Sequence, residues 1–161
     1  GTTAIDGDGC PDEIAYSIAL RGTAAINVTS VQGSYYVAAF GDTGNTGTTS
    51  KRPPFRLTAG TLTFDGKGGG QWSLTESDEG EVVQSDLDFI YRVRSEAIAG
   101  GSEAIIDMYK TASDTNPMAS AIVGPGLKTL MFYDPLSIKQ AQVTGVGNGQ
   151  RLLGLGIYRG L

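Results

Sequence analysis

Between residues 57 and 74 polar and apolar positions succeed one another in a way that sets the local form of the chain. Thr61-Leu62-Thr63-Phe64 alternates strictly, Asp65-Gly66-Lys67-Gly68-Gly69-Gly70 has to turn, and Gln71-Trp72-Ser73-Leu74 alternates again. A period of two places successive side chains on opposite faces of a strand, so this is a β-hairpin with Leu62, Phe64, Trp72 and Leu74 on one face. A second signal of the same kind closes the chain. Residues 140–146 and 151–158 flank Gly147-Asn148-Gly149, and Asn-Gly is favoured where both central residues need positive φ. Leu153, Leu155 and Ile157 alternate with Gly154 and Gly156. Glycines inside a strand mark a close backbone approach or the coiling a small barrel needs.

Further strands are predicted over residues 23–31 and 34–40, divided by a turn at Gln32-Gly33, and over residues 82–84, 89–94, 103–110, 119–123 and 127–133. Upstream, residues 12–20 place acids first and then Ile14 and Ile18 one helical turn apart, which allows a short helix or a direct lead into a strand. No helical stretch separates the strands. Short strands at spacings of about ten residues specify a sandwich or a closed barrel, and short links favour neighbours in sequence pairing in space. The expected fold is all-β: an antiparallel up-and-down barrel of about eight strands over residues 20–161, with residues 1–19 as a leader outside it. The exception to short links is residues 41–54, which carry three glycines and no apolar periodicity. A connection that long is a lid over a barrel mouth or a flexible link.

Composition agrees with one folded domain. A chain of 161 residues, 40% apolar and 18% charged, can bury a core without a disulfide or metal staple. The 24 glycines imply many tight turns. Charge and residue types exclude more than they select. The net charge is −5 and the Lys and Arg residues are scattered, so no cationic footprint for nucleic acid is present. With no histidine, Ser-His-Asp, Cys-His and HExxH chemistries are excluded. Cys10 is the only cysteine, so no internal disulfide or thiolate cluster can form, and it reads as a small residue in an N-terminal turn. No apolar run approaches the length of a membrane-spanning helix. A start at Gly1 fits a processed protein or a residue left by tag removal, while low lysine content, abundant Thr, Ser and Gly and the sequon Asn27-Val28-Thr29 lean towards a secreted or extracytoplasmic protein.

Leu20-Arg21-Gly22-Thr23, the run from Ala59 through Thr61-Leu62-Thr63-Phe64-Asp65-Gly66-Lys67-Gly68, Tyr91-Arg92-Val93 and the closing Leu155-Gly156-Ile157-Tyr158-Arg159 occur in order over most of residues 20–160. In this the chain resembles a calycin-type (lipocalin-like) family of small exported microbial barrels, the FDGKG hairpin being the most specific element. It departs at Ala24, where the family has tyrosine, and over residues 95–102, which lack the family's D-C-T-G-T turn. The resemblance implies a barrel able to hold an apolar ligand.

Candidate chemistry is sparse. Asp6, Asp8 and Asp12 sit at spacings like the start of a calcium loop, but Ser17 stands where the distal glutamate belongs, so a solvated acidic turn is expected, with no metal and no cofactor. The glycines after Lys67 join two strands and open no helix, which excludes a P-loop. Glu76, Asp78, Glu79 and Glu81 read as a solvated hairpin tip. Asp107 shares a strand face with Ile105 and Tyr109. If that face is inward, Asp107 and Tyr109 are the candidate catalytic groups; the opposite register turns Ile106 and Met108 inward instead. Tyr35, Trp72, Tyr91, Phe132 and Tyr133 are candidate ligand contacts or, equally, core-packing residues. The proposed lining beneath residues 41–54 is Tyr35, Tyr91, Tyr109 and Tyr133, with Asp107 as its buried acid.

Three functions fit this pattern. The barrel binds a hydrophobic or amphipathic small molecule, as a monomer or a homodimer. Alternatively, it is a cofactor-independent isomerase or cyclase that folds a polyene or polyketide in its lumen. In the third reading it is a structural or surface module with a filled barrel. Lumen volume discriminates, since a cavity below a few hundred Å³ leaves only the third standing.

Overall fold

Eight antiparallel strands close into a barrel in sequence order: β1 (Gln32–Thr43), β2 (Phe55–Asp65), β3 (Gly69–Asp78), β4 (Glu81–Ile98), β5 (Gly101–Tyr109), β6 (Ala119–Val123), β7 (Thr129–Tyr133) and β8 (Gln150–Gly160). β8 returns to pair with β1. The computed structural model describes residues 26–43, 55–78, 81–98, 101–133 and 150–160. The all-β, up-and-down barrel expected from the strand spacing is therefore the fold observed. Among the described residues no helix is long and apolar enough to cross a membrane. The short helix or strand lead at 12–20, the strand at 140–146 with its Asn148-Gly149 turn, Cys10, the acidic run from Asp6 and most of the 41–54 connection lie outside the described residues.

The central hairpin forms as its alternation requires. Leu62 and Phe64 on β2 and Leu74 on β3 are buried, and Trp72 packs against the same core. Residues 66–68 make the turn. The Asp65 carboxylate accepts hydrogen bonds from the Lys67 and Gly69 N–H groups at 2.7 and 2.9 Å, while Gly66 and Gly68 take φ of 72° and 102°, a region side chains disfavour. Burial presses the Asp65 carboxyl upward, but these N–H groups and the Lys67 charge outweigh it and hold its pKa below the usual aspartate value.

Four boundaries differ from expectation. Residues 23–31 were expected to form a strand, but Val28–Ser30 is a 3-10 turn. Asn27 caps it, its side-chain oxygen accepting from the Ser30 N–H at 3.0 Å and from the Thr29 and Ser30 hydroxyls. This local bonding overrides the β-branched pattern of Ile26, Val28 and Thr29. Gln32-Gly33 does not turn: both residues belong to β1, Gly33 taking φ of 110° within the strand. The strands expected at 82–84 and 89–94 are one strand of 18 residues, and residues 125–127, ahead of β7, form a second 3-10 turn.

β4 owes its length to the stagger of the barrel. Residues 81–90 pair with β3, and residues 90–98 pair with β5. Inside, the end where β1 begins is filled by an aromatic cluster. Phe64 meets Tyr35, Phe89 and Tyr91 edge-to-face at centroid distances of 5.8, 5.7 and 5.0 Å. Towards the other end glycine keeps β8 close to its neighbours. A Cβ on Gly154 would lie 2.6 Å from the Ala39 Cβ, so only a bare Cα fits there.

Candidate functional site

Alternation decides what each strand offers the lumen. On β1 the inward positions are Tyr35, Val37 and Ala39, and on β2 they are Thr58, Leu62 and Phe64. On β3 they are Trp72, Leu74 and Glu76. β5 turns Ile106 and Met108 into the core. The aromatic cluster stops the lumen at the level of Tyr35 and Phe64. Beyond it lies a cavity of about 200 Å³. Val37, Ala39, Thr58 and Leu62 form one wall, Trp72, Leu74 and Glu76 a second, and Met118, Ala119 and Phe132 a third. These residues sit towards the end where β1 finishes and β2 starts, the end from which residues 44–54 depart.

The cavity is walled mainly by hydrocarbon, and among the described residues Thr58 and Glu76 bring a hydroxyl and a carboxylate to its lining, Glu76 being the one charged group. Trp72 supplies the largest aromatic surface and stands against Phe89 at 5.8 Å. Its indole N–H is buried with no hydrogen-bond acceptor among the described residues, which destabilises the position by the unrecovered desolvation of one donor.

The expected site residues fall into three places. Trp72 and Phe132 line the cavity. Tyr35 and Tyr91 point inward but lie below it, and each hydroxyl is committed. Tyr35 donates to the Leu127 carbonyl at 2.8 Å; Tyr91 is within 2.9 and 3.0 Å of the Val31 and Val28 carbonyls. Burial, with a smaller contribution from Tyr158, pushes the Tyr35 pKa up to about 12, and burial likewise raises that of Tyr91. They close the barrel floor.

Asp107, Tyr109 and Tyr133 are not in the lumen. With Ile106 and Met108 inward, Asp107 and Tyr109 face outward, and Tyr133 faces outward beside Phe132. The inward register for Asp107 is corrected by packing: Ile106 and Met108 bury two apolar side chains where that register would bury one carboxylate. Asp107 is nevertheless only 5% exposed. It accepts from Arg94 Nε at 2.6 Å and from the Ser120 hydroxyl at 2.5 Å. Arg94 also pairs with Glu96 and reaches the Tyr133 hydroxyl at 3.5 Å. Burial would lower the Arg94 pKa, but hydrogen bonds and charges from Asp107 and Glu96 outweigh it and raise it. Tyr133 is raised by burial, against the pull of Arg94. Tyr109 lies under the Arg92 guanidinium, 4.4 Å from its ring centroid. This group pins β4, β5, β6 and β7 together on the outer wall.

Glu76, Thr58 and Met118 are lining residues that the sequence reading did not select. The alternation that turns Trp72 and Leu74 inward continues to Glu76, so its place on the inner face was available from the sequence; its charge suggested a solvated tip. Among the described residues no group of three or more Cys, Asp or Glu side chains is placed to hold a metal ion.

No protein family, curated protein or solved structure matches the chain.

Proposed function

We propose that the barrel binds one compact, largely apolar molecule, about the size of a single substituted ring or a small bicycle, in the cavity between Trp72 and Phe132. The observation that carries this reading is the cavity itself, about 200 Å³ with a mostly hydrocarbon wall. That volume is below the roughly 300–1,000 Å³ of drug-sized pockets, so lumen volume falls on the side of the filled barrel, and the binding reading holds only for a ligand smaller than drug size. It exceeds the roughly 150 Å³ that suffices for benzene in an engineered apolar cavity. A one-ring ligand satisfies both bounds. A polyene or polyketide does not fit this volume, and the acid assigned to the cyclase reading, Asp107, is on the outer wall; both weigh against cyclisation. The calycin resemblance is compatible with the binding reading and adds the expectation of an extracytoplasmic setting.

Trp72 is the chain's one tryptophan, so its emission reports on the cavity alone. Titration with toluene, cyclohexanone and naphthalene should shift or quench that emission saturably, and enlarging Met118 to Phe or Ala119 to Leu should abolish the response to toluene. If no probe changes the Trp72 emission or the methyl resonances of Leu62, Leu74 and Met118, the barrel is a filled structural module.

A further inference from the structure

Polarity is unevenly distributed along the cavity. Thr58 and Glu76 stand opposite each other in the β2–β3 pairing, at the end from which residues 44–54 depart, and the lining below them is Leu62, Trp72, Leu74 and Phe132. At about 3.3 Å of rise per residue, Leu74 lies about 7 Å and Trp72 about 13 Å below Glu76 along β3. The Thr58 end is also the acidic end of the sheet. Between Lys67 and Arg92 the chain has no basic residue, and the β3–β4 hairpin brings Glu76, Asp78 and Glu81 to this end. Among the described residues, Arg56 stands in register with Asp78 and Arg151 with Asp42, which leaves the acids in excess.

We propose, on the strength of the binding reading above, that the compact ligand is a primary amine carried on a single ring, with the ring among Trp72, Leu74 and Phe132 and the ammonium at Glu76 and Thr58. Benzene occupies an apolar cavity of roughly 150 Å³, so the cavity of about 200 Å³ has room for about two further heavy atoms at the roughly 30 Å³ that a small molecule such as water takes in a liquid. A methylene and a nitrogen use that space. A ring at the level of Leu74 then carries its nitrogen towards Glu76, where the carboxylate and the Thr58 hydroxyl oxygen accept from the three N–H donors of an ammonium. Glu76 already has an interaction within the chain, but a carboxylate offers about four acceptor sites, so the ammonium adds to that contact. Because Glu76 is only partly buried, the ammonium keeps part of its hydration and escapes the penalty of a fully buried ion pair. A carboxylate ligand would set like charge against Glu76 and against a net charge of −5. A hydrocarbon ligand would leave Thr58 and Glu76 facing an apolar surface.

The test is titration of the full chain near neutral pH with benzylamine, ethylbenzene and benzoate, which are similar in size and differ in charge, following the Trp72 emission and the Leu62 and Leu74 methyl resonances. Benzylamine should bind about tenfold or more tighter than ethylbenzene, the step that a charge-assisted hydrogen bond adds, and benzoate should bind more weakly than either. In Glu76→Gln the ratio of the ethylbenzene to the benzylamine dissociation constant should fall by about tenfold. The ratio separates loss of the charge from a change in cavity shape, which would move both ligands together. If toluene and ethylbenzene bind saturably and benzylamine binds no tighter than ethylbenzene, the amine inference is overturned and the apolar-binding reading stands. A ratio unchanged by Glu76→Gln, or benzoate binding tighter than benzylamine, overturns the amine inference in the same way. No response to any probe, toluene included, overturns both.

Discussion

Removing Arg94 should destabilise the barrel more than removing Asp107, although each change breaks the same ion pair. The Arg94 side chain is 40% exposed and that of Asp107 is 7% exposed. In Asp107→Ala the arginine keeps Glu96 and rehydrates, so loss of its charge partner counts for little in that solvent-screened setting. What remains is the Ser120 hydroxyl, fully buried and stripped of its acceptor, which costs about 1–3 kcal/mol. In Arg94→Ala the carboxylate stays buried with Ser120 as its remaining donor among the described residues, and an uncompensated buried charge costs about 3–5 kcal/mol. The arginine variant should therefore be less stable by about 2 kcal/mol, a Tm lower by about 4–8 °C at this chain length. Urea unfolding followed by circular dichroism measures both midpoints, with unchanged m-values confirming that the folded states are comparable. Equal losses, or a greater loss for Asp107→Ala, would refute the argument from unequal burial. Loss of toluene binding in Asp107→Ala with the urea midpoint unchanged would return Asp107 to the site.

Further expectations follow from the floor, the turn and the glycine contact. Burial pushes the Tyr35 pKa up to about 12 from an ordinary value of 10.0, so its contribution to stability is complete below pH 10 and is lost as pH rises through 12; urea midpoints across this range, with phenolate absorbance at 295 nm, should show a late-titrating tyrosine absent from Tyr35→Phe. Asp65→Ala removes the acceptor for two backbone N–H groups at the hairpin turn and should accelerate amide exchange at Lys67 and Gly69. Because the Asp65 pKa is depressed, its contribution is present above the usual aspartate value and is lost as the pH falls through its folded value; an acid unfolding curve unchanged by the substitution would contradict this. Gly154→Ala forces a Cβ against Ala39 and should cost about 1–3 kcal/mol by overpacking, while shrinking the cavity enough to weaken the Trp72 response to toluene.

Much of the fold was legible because a barrel is written locally. Alternation placed Leu62, Phe64, Trp72 and Leu74 on one face, and short links specified neighbour pairing. Where the reading failed, a side chain or a long-range pairing overrode the local pattern. Asn27 drew its own backbone into a capped turn, and β4 runs through Ser85-Asp86 without a break because β3 pairs with it continuously from Glu81 to Ile90. The site was legible only in part. Trp72 and Phe132 were selected because large aromatics fill lumens. Asp107 was misplaced because alternation fixes which residues share a face but not whether that face is inner or outer, a choice made by Ile106 and Met108 against the rest of the core. Glu76 was passed over because its charge was given more weight than its parity.

The divided pairing of β4 means that along this seam β3 and β5 meet through one short stretch, while the β1–β8 pairing closes the far side. Up to Phe89 the strand answers to β3; beyond Tyr91 it answers to β5, and at Ile90 it faces both Gly69 and Tyr109. A residue inserted near Gln84 would slip only the tip of the β3 hairpin, and one inserted near Ser95 only the tip of the β5 hairpin. The same insertion at Ile90 would throw every side chain of one half onto the wrong face relative to the other. The strand is thus a hinge of register, tolerant at both arms and intolerant at its pivot.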